Sequence, residues 1–212
     1  MIQKYKHVIW DWNGTLLNDT ALCVNIINGL LKSKNLDILT LDDYRLIFNF
    51  PVKDYYEKAG FNFSQYTFED VGRQWMDEYE RRKGETTLFN GAKDVLSYIK
   101  SAGIDQSILS AYSHHTLVEI IAYHGLGEYF KYVTGLDHIY ATGKLEIGIE
   151  LIGKLNCRKE EIVLVGDTIH DYEVANSLKI KCILIANGHQ SRERLLACNV
   201  PLLNDIREII DI

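Results

Sequence analysis

His7-Val8-Ile9-Trp10-Asp11-Trp12-Asn13-Gly14-Thr15-Leu16 is a short apolar run that stops abruptly at a carboxylate and then meets a glycine. A strand covered on both faces reads as a continuous apolar run, not as an alternation. The same grammar returns at Ile162-Val163-Leu164-Val165, which runs into Gly166-Asp167, at Ile104 to Ser110, and at Lys181-Cys182-Ile183-Leu184-Ile185. Tyr132-Val133-Thr134 is a shorter candidate. Helical stretches separate these runs: Ala92–Ala102 closed by Gly103, then Ile147–Leu155, Tyr172–Leu178, Arg192–Ala197 and Asp205–Ile210. Strands alternating with helices predict an α/β protein with a parallel sheet. The last segment, Pro201–Ile212, reads as a closing strand and helix with Asn204 as N-cap.

The interval from Asn18 to Arg82 has a different character. It offers no convincing strand but several helix starts, at Thr40-Leu41-Asp42-Asp43, at Pro51 and at Thr67-Phe68-Glu69-Asp70. Its aromatic residues crowd between Tyr44 and Tyr79, enough to give a small helical unit its own core. The expected organisation is therefore a core of residues 1–17 and 84–212, interrupted after its first strand by a helical insert of residues 18–83.

The chain has 212 residues, with 23 basic against 29 acidic side chains and a net charge of -6. That balance supplies no attraction for nucleic-acid phosphates. No apolar run approaches the ~20 residues of a membrane span, and the apolar stretch before Asp11 is too short for a signal peptide. Cys23, Cys157, Cys182 and Cys198 form no C-x-x-C pair and read as reduced, mostly buried thiols, which points to a cytoplasmic protein. The basic group Arg73, Arg81, Arg82 and Lys83 is balanced by Asp77, Glu78 and Glu80 and reads as a solvated helix end.

Carboxylates at the C-terminal ends of parallel strands stand where open α/β sheets build their sites. Asp11 is one. Gly14 behind it lets the chain turn and brings backbone N–H groups towards an anion. Asp167 and Asp171 follow the Ile162–Val165 run, and with Asp11 they offer hard oxygen ligands suited to Mg²⁺. Ser110, at the end of its strand, offers a hydroxyl to a phosphate oxygen. Lys144, in a loop 23 residues before Asp167, brings the charge that would neutralise phosphate and carboxylate together.

In that order the elements resemble the haloacid dehalogenase-like hydrolase superfamily, and within it the phosphoglycolate phosphatase-like branch. Asp11-Trp12-Asn13-Gly14-Thr15 is similar to the family's first motif, Ser110 to the second, Lys144 to the third, and Gly166-Asp167 with Asp171 to the fourth. The resemblance covers nearly the whole chain. It implies a Rossmann-like three-layer α/β core with an all-helical cap, and a cytoplasmic monomer or homodimer acting on a small-molecule phosphate ester. It also implies a two-step transfer in which Asp11 attacks phosphorus and forms an aspartyl-phosphate. Mg²⁺ would be held by Asp11, Asp167 and the Asn13 backbone carbonyl, with Asp171 at the metal or at Lys144. Ser110, Ala111, Gly14 and Lys144 would face the phosphoryl group.

One position departs from this pattern. Where the family's phosphatases carry a second Asp, which protonates the leaving alkoxide, this chain has Asn13, and an amide cannot exchange a proton at neutral pH. Three accounts follow. A slow or specialised phosphatase would use good leaving groups or borrow His170 or His114. The family's phosphonate hydrolases also lack the second Asp, share the preceding Trp12 and use a cap lysine, for which Lys53 is the candidate. A binding or regulatory protein would keep Mg²⁺ and phosphate without turnover. His189, after Gly188, is expected at the rim of the site.

Overall fold

The computed structural model describes residues 2–136 and 143–211; Met1, Ile212 and residues 137–142 lie outside the description. In chain order its elements are β1 (His7–Trp10), β2 (Leu17–Asn18), α1 (Thr20–Ser33), α2 (Leu41–Ile47), α3 (Val52–Lys58), α4 (Phe68–Arg82) and β3 (Thr87–Leu88). There follow α5 (Ala92–Ser101), β4 (Asp105–Ser113), α6 (His114–Tyr123), β5 (Tyr132–Leu136), α7 (Lys144–Lys154), β6 (Ile162–Gly166), α8 (Ile169–Leu178), β7 (Lys181–Ile185), α9 (Arg192–Leu196) and β8 (Leu202–Leu203).

Six strands form one parallel sheet in the order β5-β4-β1-β6-β7-β8. The strands β1, β6 and β7 are largely continuous apolar runs because both faces are covered. Val8, Trp10, Val163, Val165, Ile183 and Ile185 enter one core, with α5 and α6. Ile9, Ile162, Leu164, Cys182 and Leu184 alternate into the other, against α7, α8 and α9. The result is the Rossmann-like three-layer α/β arrangement expected. Trp10 is wholly buried, and its indole N–H donates to Gln106, whose amide in turn donates to the Leu96 carbonyl. A large ring thus enters the core with its polar atom satisfied.

The chain leaves the central strand β1 for β4 on one side and, later, β6 on the other. This switch point leaves a crevice at the carboxyl ends of the strands. Register fixes what lines it. Trp10 pairs with Ile108 and with Val165, so Asp11, Ser110 and Asp167 reach the same edge.

Between β2 and β3, which pair antiparallel, lie four helices. Thr40 and Thr67 cap α2 and α4 as the sequence suggests, Thr40 in a reciprocal capping box with Asp43. Pro51 is the N-cap of α3 and not its first helical residue. The basic group at the end of α4 is paired with Asp70, Glu78, Glu80 and Glu85.

Several sequence expectations need correction. Asn18 belongs to a strand, although its interval shows no strand pattern; two-residue strands are too short to carry one. Ser110 does not end β4. The strand continues to Ser113 through a register shift between Leu109 and Ser113. Gly135 makes this possible, since a side chain there would run into the backbone of Tyr112 and His114. Lys144 is not in a loop but is the first residue of α7, behind Gly143 in the left-handed region at φ 103°. The α8 helix begins three residues earlier than expected, because Thr168 caps it and Asp171 closes the capping box. Asp205, not Asn204, caps the final turn, a 3₁₀ helix. Cys23, Cys182 and Cys198 are buried and all four cysteines are free. Among the described residues, no helix is long and apolar enough to cross a membrane.

Candidate active site

At the carboxyl edge of the sheet, β1 presents Asp11 to the first residue of α7. The Lys144 ammonium donates to Asp11 Oδ1 at 2.5 Å and to Asp171 Oδ1 at 2.6 Å, with all three groups buried. Asp171 is itself fixed: its other oxygen accepts from the Thr168 hydroxyl at 2.6 Å and from the Thr168 and Asp167 backbone N–H groups. Asp167 accepts from the Thr15 hydroxyl at 2.9 Å and from the His189 backbone N–H at 2.6 Å. Gly14 lies behind this pair at φ 76°, where any side chain would collide with Asp167 and His189.

One oxygen from each of Asp11, Asp167 and Asp171 lies within 4.8 Å of the others, and one ammonium opposes these three carboxylates. Burial above all pushes Asp11 up to about 8; Lys144 pulls against it, and the charges of Asp171 and Asp167 add to the rise. Burial likewise raises Asp167 to about 6. Burial opposes the charge of Lys144, but Asp11 and Asp171 hold its pKa above the ordinary value. An excess of hard oxygen donors carrying unbalanced negative charge is the donor set a small divalent cation takes, and the residues fit such an ion.

Ser110 and Ala111, in the irregular part of β4, line the same pocket. Ser110 is buried, and its hydroxyl oxygen accepts the Tyr112 backbone N–H. Asn13 lines the pocket with its amide committed: Nδ2 donates to Asp19 Oδ2 and to the Tyr79 hydroxyl, both at 2.8 Å.

Asp19 is the residue sequence reading missed. It occupies the N-cap position of α1, yet its side chain makes no cap bond. Instead it accepts from Asn13, from the Gly14 N–H at 3.0 Å and from the Tyr79 hydroxyl at 2.8 Å, and it pairs with His189 Nε2 at 3.2 Å. Burial favours its neutral form, but His189, Asn13 and Tyr79 outweigh that and hold its pKa low. His189 sits inside the site and not at its rim. Burial opposes its charge, yet Asp19 raises it to about 9, and its other ring nitrogen meets the Tyr44 hydroxyl at 2.9 Å. An acidic residue ahead of an apolar helix reads as an ordinary cap, so the only available signal was its distance of eight residues from Asp11.

The remaining candidates separate. His170 lines the pocket with its ring on Phe50, centroids 4.8 Å apart. His114 is exposed. Lys53 is also exposed, on α3, and is not among the described pocket residues. Trp12 is wholly buried in the core beside His124 and does not line the pocket.

The insert is seated over this edge. Arg45 donates to the carbonyls of Gly188 and Asn187, both at 3.0 Å, and Gln190 ties the Phe48 carbonyl to the backbone N–H of Ile169. A cavity of about 180 Å³ lies between the carboxylates below and rings of the insert above.

Comparison with known proteins gives concordant results. A family model described as haloacid dehalogenase-like hydrolase matches residues 8–185. A protein named pyrophosphatase PpaX from Listeria monocytogenes is 24% identical over 181 residues, covering 84% of this chain and 81% of that one. A phosphoglycolate phosphatase from Synechococcus elongatus is 22% identical over 194 residues, covering 90% and 88%. Among solved structures, a haloacid dehalogenase-like hydrolase from Streptococcus pneumoniae superposes with a TM-score of 0.84 at 16% identity, covering 98% of each chain.

Proposed function

The chain belongs to the haloacid dehalogenase-like hydrolase family, and from that premise we propose that it is a Mg²⁺-dependent phosphatase working through an aspartyl-phosphate on Asp11. The observation that carries this reading is the buried Asp11–Lys144–Asp171 array at the carboxyl end of the central strand. The names of the curated relatives, a pyrophosphatase and a phosphoglycolate phosphatase, support a phosphate compound as substrate.

Asp11, Asp167 and the Asn13 backbone carbonyl would hold Mg²⁺, with Asp171 beside them. When bound, the ion would offset the repulsion between carboxylate and phosphate and stabilise charge on the phosphoryl oxygens. Lys144 orients the Asp11 carboxylate and supplies the positive charge that meets the phosphoryl group. Asp171 holds Lys144 in place and is in turn fixed by Thr168. Ser110, Ala111 and Gly14 form the rest of the phosphoryl-facing wall. An Asp11 oxygen attacks phosphorus as the ester oxygen departs, and water then releases phosphate from Asp11. The seated insert limits the access of bulk water during the first step.

Asp11→Asn tests the reading, since it keeps the shape of the side chain and removes the nucleophile. The expected result is loss of Mg²⁺-dependent phosphate release below detection, with circular dichroism unchanged. Retained turnover in that variant overturns the assignment of Asp11.

A further inference from the structure

Two independent features of the pocket narrow the substrate beyond a phosphate ester. The first is its wall. Phe48, Phe50, Tyr55 and Trp75 of the insert, with Tyr112 of β4, surround the space above the carboxylates. Phe48 meets Phe50 and Tyr55 edge-on, at 5.6 and 5.2 Å between centroids, and Trp75 stacks on Tyr79 at 5.1 Å. This is a preorganised ring-lined space for a flat apolar group.

Its cations are already committed. Among the described lining residues, Lys144 is held by Asp11 and Asp171, and the His189 ring by Asp19 and Tyr44. Arg45 and Arg194 nearby spend their guanidinium groups on backbone carbonyls of residues 45, 48, 187 and 188. The one other basic ring among the described lining residues, His170, lies 3.7 Å from Glu173 through Nδ1 and has a buried, unpartnered Nε2, so the described lining offers a second anionic group of the substrate a single ring nitrogen and no further lysine or arginine. A carboxylate or second phosphate buried against these rings without a partner would be costly.

The second feature is the leaving-group side. Asn13 has no proton to give, and its amide N–H groups are occupied by Asp19 and Tyr79. Without a proton from position 13, the bond to phosphorus breaks most readily where the leaving oxygen is stable as an anion. A phenolate, whose conjugate acid has a pKa of about 10, departs far more readily than an alkoxide, whose conjugate acid is nearly as weak as water.

We propose that the substrate is an aryl phosphate monoester, with an uncharged aromatic group in the ring-lined space and its phosphoryl group at Asp11. This rests on the phosphoryl-transfer reading above. The Asp11 oxygen bonds to phosphorus as the phosphorus–aryl oxygen bond breaks, and the electron pair leaves as phenolate, which takes a proton from solvent. Water then attacks phosphorus and the aspartyl oxygen–phosphorus bond breaks; one of the water's protons stays with the released phosphate and the other returns to solvent. The sum is aryl phosphate plus water giving a phenol and hydrogen phosphate.

The test is a substrate series on the unmodified protein with Mg²⁺: phenyl phosphate, 1-naphthyl phosphate, benzyl phosphate, 2-phosphoglycolate, pyrophosphate and acetyl phosphate. Benzyl phosphate keeps the ring but leaves as an alkoxide. Acetyl phosphate needs neither a ring nor a proton donor and reads phosphoryl transfer alone. The expected kcat for phenyl phosphate exceeds that for benzyl phosphate by about 100-fold or more, the scale of a missing general acid. The kcat/KM for 1-naphthyl phosphate exceeds those for phosphoglycolate and pyrophosphate, and Trp75→Ala raises the naphthyl KM about tenfold, as loss of one aromatic contact predicts. Phosphoglycolate or pyrophosphate turnover equal to that of the aryl esters overturns the proposal. So does benzyl turnover equal to phenyl turnover. Hydrolysis of acetyl phosphate without any aryl ester removes the substrate class and leaves the phosphatase reading standing, whereas failure of every compound removes both.

Discussion

Replacing Asn13 by Asp would create a proton donor where the family's phosphatases carry one, and this structure gives the consequence a magnitude. The Asn13 amide nitrogen lies 2.8 Å from Asp19 Oδ2. A carboxylate oxygen in its place would face another at that separation, a repulsion of about 6 kcal/mol at an effective dielectric constant of 20. Holding a proton on an ordinary aspartate at pH 7 costs about 4 kcal/mol, because its pKa is about 3.9 and each unit is about 1.4 kcal/mol. The smaller cost wins, so the variant folds with one proton shared between residues 13 and 19. The folded variant then keeps a proton that its unfolded chain has released, and its stability falls as pH rises. Relative to the parent, the expected loss is about 1.5 kcal/mol at pH 5 and about 4 kcal/mol at pH 7, a slope of about 1.4 kcal/mol per pH unit. The His189 imidazolium, 3.2 Å from the other Asp19 oxygen, narrows the upper end of that window. Urea unfolding followed by circular dichroism in EDTA, from pH 5 to 8, measures it. The double variant Asn13→Asp/Asp19→Asn removes the second charge and should flatten the slope. A stability difference for Asn13→Asp that does not vary across this range would refute the Asn13–Asp19 contact as the controlling interaction. With Mg²⁺ restored, the retained proton should raise benzyl phosphate turnover in the single variant by about 10²-fold or more.

Two further outcomes follow from buried groups. Lys144→Met leaves Asp11 and Asp171 without the ammonium that each meets within 2.6 Å, and should cost about 3–5 kcal/mol in urea unfolding in EDTA, the usual penalty for orphaning a buried partner; a loss below about 1 kcal/mol contradicts the array. His7, bonded to the Ser107 hydroxyl at 2.9 Å, is held near a pKa of about 4, chiefly by burial. Its unfolded form takes up a proton below pH 6.5 that the folded form refuses until about pH 4, so up to about 3 kcal/mol of stability is lost as pH falls through that window. His7→Gln should flatten this part of the acid response, and identical slopes in the two proteins would show that another group sets it.

The sheet was legible because its inner strands are covered on both sides. Val8-Ile9-Trp10 and Ile162 to Val165 send alternate residues into two cores, and every position is apolar. The β2–β3 ribbon was not legible, since two residues per strand carry no period. Asp11, Ser110, Lys144, Asp167 and Asp171 could be named from strand ends, spacing and resemblance, but their partners could not. Tyr79 reaches Asp19 across 60 residues and His189 across 170. Nothing local in either segment announces the contact. The aromatic residues of the insert pose the same difficulty, because composition cannot separate rings that fill a core from rings that wall a pocket. Phe61 is buried and stacks on Phe63 outside the pocket, whereas the half-buried Phe48 and Phe50 sit over the carboxylates. Only the helix directions make that division.

The charges of the site explain why asparagine and aspartate occupy positions 13 and 19 together. Asp11, Asp19 and Asp171 line one pocket with Asp167 buried beside Asp11 and Asp171, and among the described residues Lys144 and His189 are the buried cations that face them. With all four carboxylates ionised, as a bound cation would hold them, four negative groups against two positive ones leave an excess that a single divalent cation balances. Another carboxylate at position 13 would exceed it and would lie against Asp19, the anion that already accepts from Gly14, Tyr79 and His189. Asp19 also fixes the Asp11–Thr15 loop through the Gly14 N–H, and His189 secures Asp167 through its own backbone N–H. Removing Asp19 to make room for an acid at 13 would therefore loosen both the loop of the proposed nucleophile and a candidate metal ligand. The amide at position 13 is the choice that keeps the carboxylate at 19 buried and paired. It leaves the leaving group to depart on its own stability, and the ring-lined pocket above is where such a leaving group fits.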